Sequence, residues 1–257
     1  MVRPGLALAG VVLIGVGAAI AFGWWDEDTA EASGRVSDPI RSVQIANDNG
    51  DVTIRAGDVE STRVRQQFSY RWGEPEDSYQ VDGDELVLND CGWNCSVSYD
   101  VVVPRGTAIT GSADSGNVTL TDVGDVDVRA SSGEVEVRRA AGTVNVDANS
   151  GGVELIDIAG PASVHANSGN IQGRDLRGDL DVRANSGDIT LGMSRASNVT
   201  AEANSGNIDL TVPDRRYQVQ VEGNGDEAVD VRVDDRARYL LDLNASSGDV
   251  TVRTAHA

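Results

Sequence analysis

Residues 165 to 191 read HANSGNIQGRDLRGDLDVRANSGDITL, and the stretch repeats itself. Ala-Asn-Ser-Gly at 166–169 returns at 184–187, eighteen residues on, followed each time by an alternating apolar and polar run. Working outward, the glycine that closes this motif recurs as Gly116, Gly133, Gly151, Gly169, Gly187 and Gly206, at spacings of 17, 18, 18, 18 and 19. A fixed period of that size is the signature of a solenoid, in which each repeat buries its apolar face only against its neighbours. Two outlying copies, Asp48-Asn49-Gly50 and Ser246-Ser247-Gly248, lie beyond the array.

Within each period two segments alternate. After the glycine, the second and fourth residues are apolar, as in Val118 and Leu120, Val135 and Val137, Val153 and Leu155, Ile189 and Leu191, Ile208 and Leu210. The second segment gives Val126, Val128 and Ala130, then Val144, Val146 and Ala148, then Leu180, Val182 and Ala184. Strict alternation predicts half-buried strands, and Gly124, Gly142, Gly160 and Gly178 mark the turn between them. Two strands and two turns per coil predict an all-β fold: a two-sheet parallel β-solenoid of about 18 residues per coil, its coils stacked at about 4.8 Å. The expected organisation is a transmembrane anchor at 1–25, a polar linker at 26–37, an N-terminal β cap with a disulfide loop at 38–106, repeats at 107–213 and C-terminal β strands and cap at 214–257. The cap segment reads as longer antiparallel strands and carries most of the aromatics, including Phe68, Tyr70, Trp72 and Tyr79.

Composition agrees with a thin core. The 257 residues include 29 glycines and 4% aromatics, too few for a conventional aromatic-rich interior. Forty-one acidic residues against 21 arginines, with no lysine, give a net charge of −20. That balance argues against nucleic acid and against an anionic membrane surface as partners, because like charge repels.

The N-terminal segment GLALAGVVLIGVGAAIAFGWW, residues 5–25, is uncharged and long enough to cross roughly 30 Å of hydrocarbon as one helix. Arg3 precedes it while Asp26, Glu27 and Asp28 follow, which places the N-terminus in the cytoplasm and the rest of the chain outside as a single-pass membrane protein. Secretion after signal cleavage is the competing reading, since Ala19-Ile20-Ala21 has the small-x-small form. In an oxidising exterior, Cys91 and Cys95 read as a disulfide closing a tight loop around Gly92-Trp93-Asn94.

The apolar N-terminus, the segment DCGWNCSVSYDVVVP at 90–104 and the serial ANSG units followed by Asn or Asp and then Val or Ile resemble the bacterial putative-adhesin family of β-strand-repeat proteins, a domain of unknown function common in actinobacteria. The resemblance spans roughly residues 40 to 254. It implies the repeat architecture and a surface location, and it supplies no catalytic residues.

Candidate sites follow from the repeat. Asn149, Asn167, Asn185 and Asn204 fall one per coil and are expected to form a hydrogen-bonded structural ladder along the turns. The outward positions of the first strand, with Glu134, Glu136, Glu154, Asp188 and Asp209, read as an acidic face without a cation. That face is the candidate for a cationic partner or for weakly held surface divalent ions, with no resident cofactor or metal expected. On the second strand Arg129, Asp147, His165, Arg183 and Glu202 mostly alternate in sign. No catalytic constellation can be assembled, so the expected function is non-enzymatic: adhesion or an envelope interaction scaffold, with an envelope protein or glycan as partner. The alternatives are an accessory or sensor component of an envelope-stress system and a carbohydrate-active β-helix enzyme.

Overall fold

The computed structural model describes residues 28–71, 73 and 75–255. The apolar segment read as an anchor, and Trp72, lie outside them. Among the described residues there is no helix, hence none long and apolar enough to cross a membrane. They form two sheets of twelve strands each. At about 4.8 Å per strand this makes a body roughly 50 Å long.

The array is built as read from the period. One sheet takes β9 (Val118–Thr121), β11 (Val135–Arg138), β13 (Val153–Ile156), β15 (Ile171–Leu176), β17 (Ile189–Met193) and β19 (Ile208–Val212). The other takes β8 (Ala108–Ser115), β10 (Val126–Ser132), β12 (Val144–Ser150), β14 (Ala162–Ser168), β16 (Leu180–Ser186) and β18 (Val199–Ser205). All these neighbours pair in parallel, and equivalent positions face each other: Val135 opposite Val153, Asp147 opposite His165, Ala166 opposite Ala184. The alternating Val, Ile, Leu and Ala residues from both sheets are buried in one continuous core.

The N-terminal end differs from the expectation of an antiparallel cap. Strands β2 (Ser42–Asn49) and β3 (Val52–Gly57) run parallel to β8 and β9 and make a complete coil, with Gly50 in the repeat position. Strands β6 (Glu85–Asn89) and β7 (Cys95–Pro104) stack in parallel outside that coil, so the chain must pass over it to begin β8. Among the described residues antiparallel pairing is confined to β1 (Asp28–Val36) with β4 (Thr62–Tyr70), β4 with β7, and β5 (Tyr79–Asp82) with β6, at the edges of the two sheets. The opposite end mirrors this. Strands β20 (Arg216–Gly223) and β21 (Glu227–Asp230) overshoot by one layer, β22 (Arg232–Val233) adds an edge, and β23 (Tyr239–Ala245) and β24 (Val250–Thr254) return to fill the gap beside β18 and β19. The solenoid therefore extends into both segments read as caps. Segment 26–37, read as a polar linker, is strand β1 over most of its length. Its small residues Ala30, Ala32, Gly34 and Val36 alternate toward the core while Thr29, Glu31, Ser33 and Arg35 face out. The ends also hold the buried aromatics Phe68, Tyr99 and Tyr217. Tyr217 donates its hydroxyl to the Pro213 carbonyl at 2.9 Å, and burial pushes its phenol up to about 12.

The second turn is richer than its glycines announced. Asp122, Arg139, Asp157 and Asp175 occupy the left-handed region at φ of 60°, 53°, 56° and 57°. Each is followed by a fully buried side chain, Val123, Ala140, Ile158 or Leu176, that plugs the narrow end of the core. In one coil Gly173 replaces the usual inward leucine, and Leu176 fills the space, its Cδ1 standing 2.6 Å from where a Cβ would be. The register between β15 and β17 shifts at that point.

The principal turn rests on a backbone contact. Gly187 has φ of 147°, and a Cβ there would lie 2.2 Å from the Gly169 carbonyl oxygen, so both the conformation and the stacking exclude a side chain. Its own N–H donates to the Ser205 carbonyl of the next coil at 3.0 Å. Replacing Gly187 with Ala is expected to destabilise the fold by about 2–4 kcal/mol. Gly57→Ala, with nothing within 4 Å of the added Cβ, is expected to stay close to the parent, and chemical denaturation midpoints of the two variants check the contrast.

Candidate functional site

The turn motif is a set of ladders. Asn167 Nδ2 donates to Asn149 Oδ1 at 3.2 Å, Asn185 to Asn167 at 3.1 Å and Asn204 to Asn185 at 2.9 Å. Asn167 and Asn185 each donate to the coil before and accept from the coil after, which uses both hydrogen-bonding ends of the amide. Ser131 Oγ bonds Asp114 Oδ1 at 3.1 Å in the same column. A second ladder runs beside it, through the residue after each glycine. The backbone N–H of Asp188 donates to Asn170 Oδ1, that of Asn207 to Asp188 Oδ1, and that of Asp249 to Asn207 Oδ1, all within 2.8–2.9 Å. Its signal stands in the sequence, since SG is followed by Asn or Asp in most copies, yet alternation alone marked these residues as outward strand positions.

This second ladder removes Asp188 from the acidic face, because its carboxylate is a rung of the turn. The face is not free of cations either. Glu136 pairs with Arg138, Glu154 with Arg174, and Asp209 with Arg253 at 3.0 Å. The arginines come from the next outward position along each strand, two residues beyond those that define the acidic row. Of the five residues, Glu134 joins the second ladder only through its backbone N–H, which donates to Asn117 Oδ1 at 2.9 Å, and among the described residues its carboxylate alone has neither an ion pair nor a ladder bond. On the opposite sheet His165 Nδ1 lies 3.5 Å from Asp147, and Arg183 lies 3.6 Å from Glu202. Exposed pairs of this kind contribute little each and mainly hold register. Among the described residues no cluster of three or more His, Cys, Asp or Glu is placed to hold a metal ion.

The repeat breaks at the N-terminal end, and there a different surface forms. Cys91 and Cys95 are joined by a disulfide, with Cα atoms 5.6 Å apart. Gly92 and Asn94 take left-handed φ of 86° and 59°, and Asp90 Oδ1 accepts the Gly92 N–H at 2.8 Å. This closed loop holds Trp93 out at 93% exposure. Beneath the loop, the Tyr99 hydroxyl sits 2.9 Å from the Ser78 carbonyl and 2.6 Å from the Asn89 carbonyl, and burial pushes its phenol well above the ordinary range. Trp93 borders an open groove of about 780 Å³ that also takes in Asp48, Tyr70, Asp90 and Asn94. The charge of Asp90, then burial, then Asp114 raise the Asp48 carboxyl above its usual value. Aromatic surface beside carboxylate acceptors can stack on one face of a ligand and accept hydrogen bonds from its hydroxyls.

The family model described as Toastrack DUF4097 matches residues 95–253. The chain belongs to this family. The matched span covers the Toastrack array and its C-terminal layers but begins at Cys95, so most of the Trp93 loop and strands β1 to β6 precede it. Among solved structures, a "putative adhesin" from Bacteroides fragilis is similar at 14% identity, covering 88% of this chain and 97% of that one, with a TM-score of 0.53. A "putative cell adhesion protein" from Clostridium sporogenes aligns at 11% identity over 89% of this chain and 100% of that one, with a TM-score of 0.31. No curated protein matches the chain. At such identity the Bacteroides likeness is one of fold.

Replacing Asn167 and Asn185 together with Ala removes three ladder bonds. At about 0.5–1.5 kcal/mol each, reduced by solvent exposure, the expected loss is roughly 1–3 kcal/mol, read as a lower melting temperature. Asp48 gives a pH-dependent counterpart. Its folded-state value is raised, so the folded chain binds a proton more tightly than the unfolded one and loses stability as pH climbs from the ordinary 3.8 through the raised value. Asp48→Asn is therefore expected to melt higher than the parent at pH 7 and to show no such gain at pH 3.

Proposed function

We propose that this Toastrack protein is an adhesin-like envelope scaffold, held at the membrane by residues 1–25, with the β-solenoid outside and an envelope glycan as ligand. The observation that carries this reading is Trp93, 93% exposed on a disulfide-stapled loop. A large aromatic side chain costs solvation when left in water, and a stapled loop holds it pre-ordered for a partner. The remaining exposed large apolar residues among those described are two valines, Val229 and Val233. The acidic groove beside the tryptophan fits a neutral or cationic sugar chain, with the ring stacking and Asp48 and Asp90 accepting hydroxyl hydrogens. A disulfide suits an oxidising exterior, and the adhesin description of the Bacteroides neighbour points the same way. In this reading the protein performs no chemistry and has no resident cofactor; divalent cations gather weakly at the acidic groove.

Binding of the full chain, in detergent, to an array of isolated wall and capsule glycans tests the proposal. Trp93→Ala is expected to lower binding at least tenfold, the usual weight of a central aromatic anchor, with an unchanged melting temperature. Equal binding by parent and variant would remove Trp93 from the reading, and glycan turnover by the parent would replace it with an enzyme.

A further inference from the structure

A chain of net charge −20 carries the opposite charge in one place. At the N-terminal edge of one sheet, β1, β4, β7 and β3 lie side by side, and their outward residues bring Arg35, Arg63, Arg65 and Arg55 around a groove of about 840 Å³. Arg35 stands directly opposite Arg63 in the antiparallel register, and Arg65 opposite Asp100. Asp100 is the one carboxylate in the lining, and both its oxygens are taken by Arg55 Nη2, at 2.7 and 2.9 Å. Among the described residues no carboxylate pairs with Arg35, Arg63 or Arg65.

Most other arginines are matched with acid, as in Arg105 with Asp58 and Arg139 with Asp122, both at 2.7 Å, and where Arg216 faces Arg232 across paired strands each has its own aspartate. Like charges directly opposite on paired strands destabilise a sheet. A facing arginine pair left unrelieved amid an excess of carboxylates is a cost that an anion from outside removes. Neighbouring strands set the cations about 5 Å apart across the sheet, and residues two apart on a strand set them about 7 Å apart along it. Guanidinium forks bind phosphate and carboxylate oxygens in pairs, and a phosphodiester carries its charge within the polymer chain itself, its two free oxygens set tetrahedrally so that arginines on neighbouring strands can approach them from different sides.

We propose that this groove binds an extended phosphodiester polymer of the cell envelope, a polyol phosphate chain laid across β1, β4, β7 and β3. The site is separate from the Trp93 groove, so the two surfaces grip chemically different polymers.

The test measures binding of the full chain, in zwitterionic nanodiscs, to a polyglycerol phosphate oligomer by calorimetry or fluorescence anisotropy. The parent is expected to bind, with affinity falling as salt rises. Arg35→Ser with Arg63→Ser should weaken binding at least tenfold and flatten the salt dependence by about two counterions, while its melting temperature holds or rises because repulsion is relieved. Arg65→Gln, a milder change, should weaken binding without altering the melt, and Trp93→Ala should leave it unchanged. The proposal is overturned if the parent does not bind, if the arginine variants bind as well as the parent, or if Trp93→Ala abolishes binding. Tighter binding of polygalacturonate would overturn it in favour of a carboxylate polymer, and tighter binding of soluble dihexanoyl phosphatidylglycerol in favour of a lipid headgroup.

Discussion

At the principal turn a glycine of one coil rests against the carbonyl of the glycine one coil earlier, so close that a Cβ at Gly151, Gly169, Gly187 or Gly206 would stand within 1.8–2.2 Å of that oxygen. Gly116, Gly50 and Gly248 continue the column to both ends. This contact fixes how nearly the coils approach and in what register. Once it is fixed, residues eighteen or so apart must superpose, and identical side chains become neighbours along the whole body. The two ladders are consequences: an amide or carboxylate repeated at each coil meets its own copy at hydrogen-bonding distance. The thin core is another, since turns this tight bring the sheets too close for aromatic rings, and valine, leucine, isoleucine and alanine fill the space.

Such a body uses up its own repeating surface. Carboxylates that alternation places outside are rungs, like Asp188, or partners of arginines, like Glu136, Glu154 and Asp209. A repeated surface also offers the same weak pattern at each coil. Distinctive chemistry collects where the period fails, at the end layers that the chain lays down out of order. There β4 to β7 form around the β2–β3 coil, a disulfide loop projects Trp93, and four arginines share one groove. Parallel strands explain the difference. Inside the array each residue faces its own equivalent, whereas β1, β4 and β7 pair antiparallel and bring together residues unrelated by the period.

Net charge misleads for the same reason. The surplus of acid is spread along the body, and it argues against anionic partners only if the surface is uniform. The fields of exposed charges are screened within about 8–10 Å at physiological ionic strength, so a patch of arginines at one end is governed by its own neighbourhood. Arg35 and Arg63 are 28 residues apart in the chain, and only the register of β1 with β4 sets them face to face.

The sequence by itself determined the all-β class, the period, the two strands per coil, the inward residues from Val118 to Leu210, the asparagine column and the cysteine pair. All of these depend on local alternation or on recurrence at a constant interval, which one-dimensional reading detects. Tertiary structure alone decided the rest. It showed that β2–β3 and β23–β24 are full coils of the solenoid, that residues 28–36 are an edge strand and not a linker, and that Val123, Ala140, Ile158 and Leu176 plug the second turn. It also decided that the acidic face is largely paired and that an arginine groove exists at all. These features arise from pairings between segments with no shared period, and their partners are chosen by which layer the chain fills next, a property of the whole stack that no local pattern encodes.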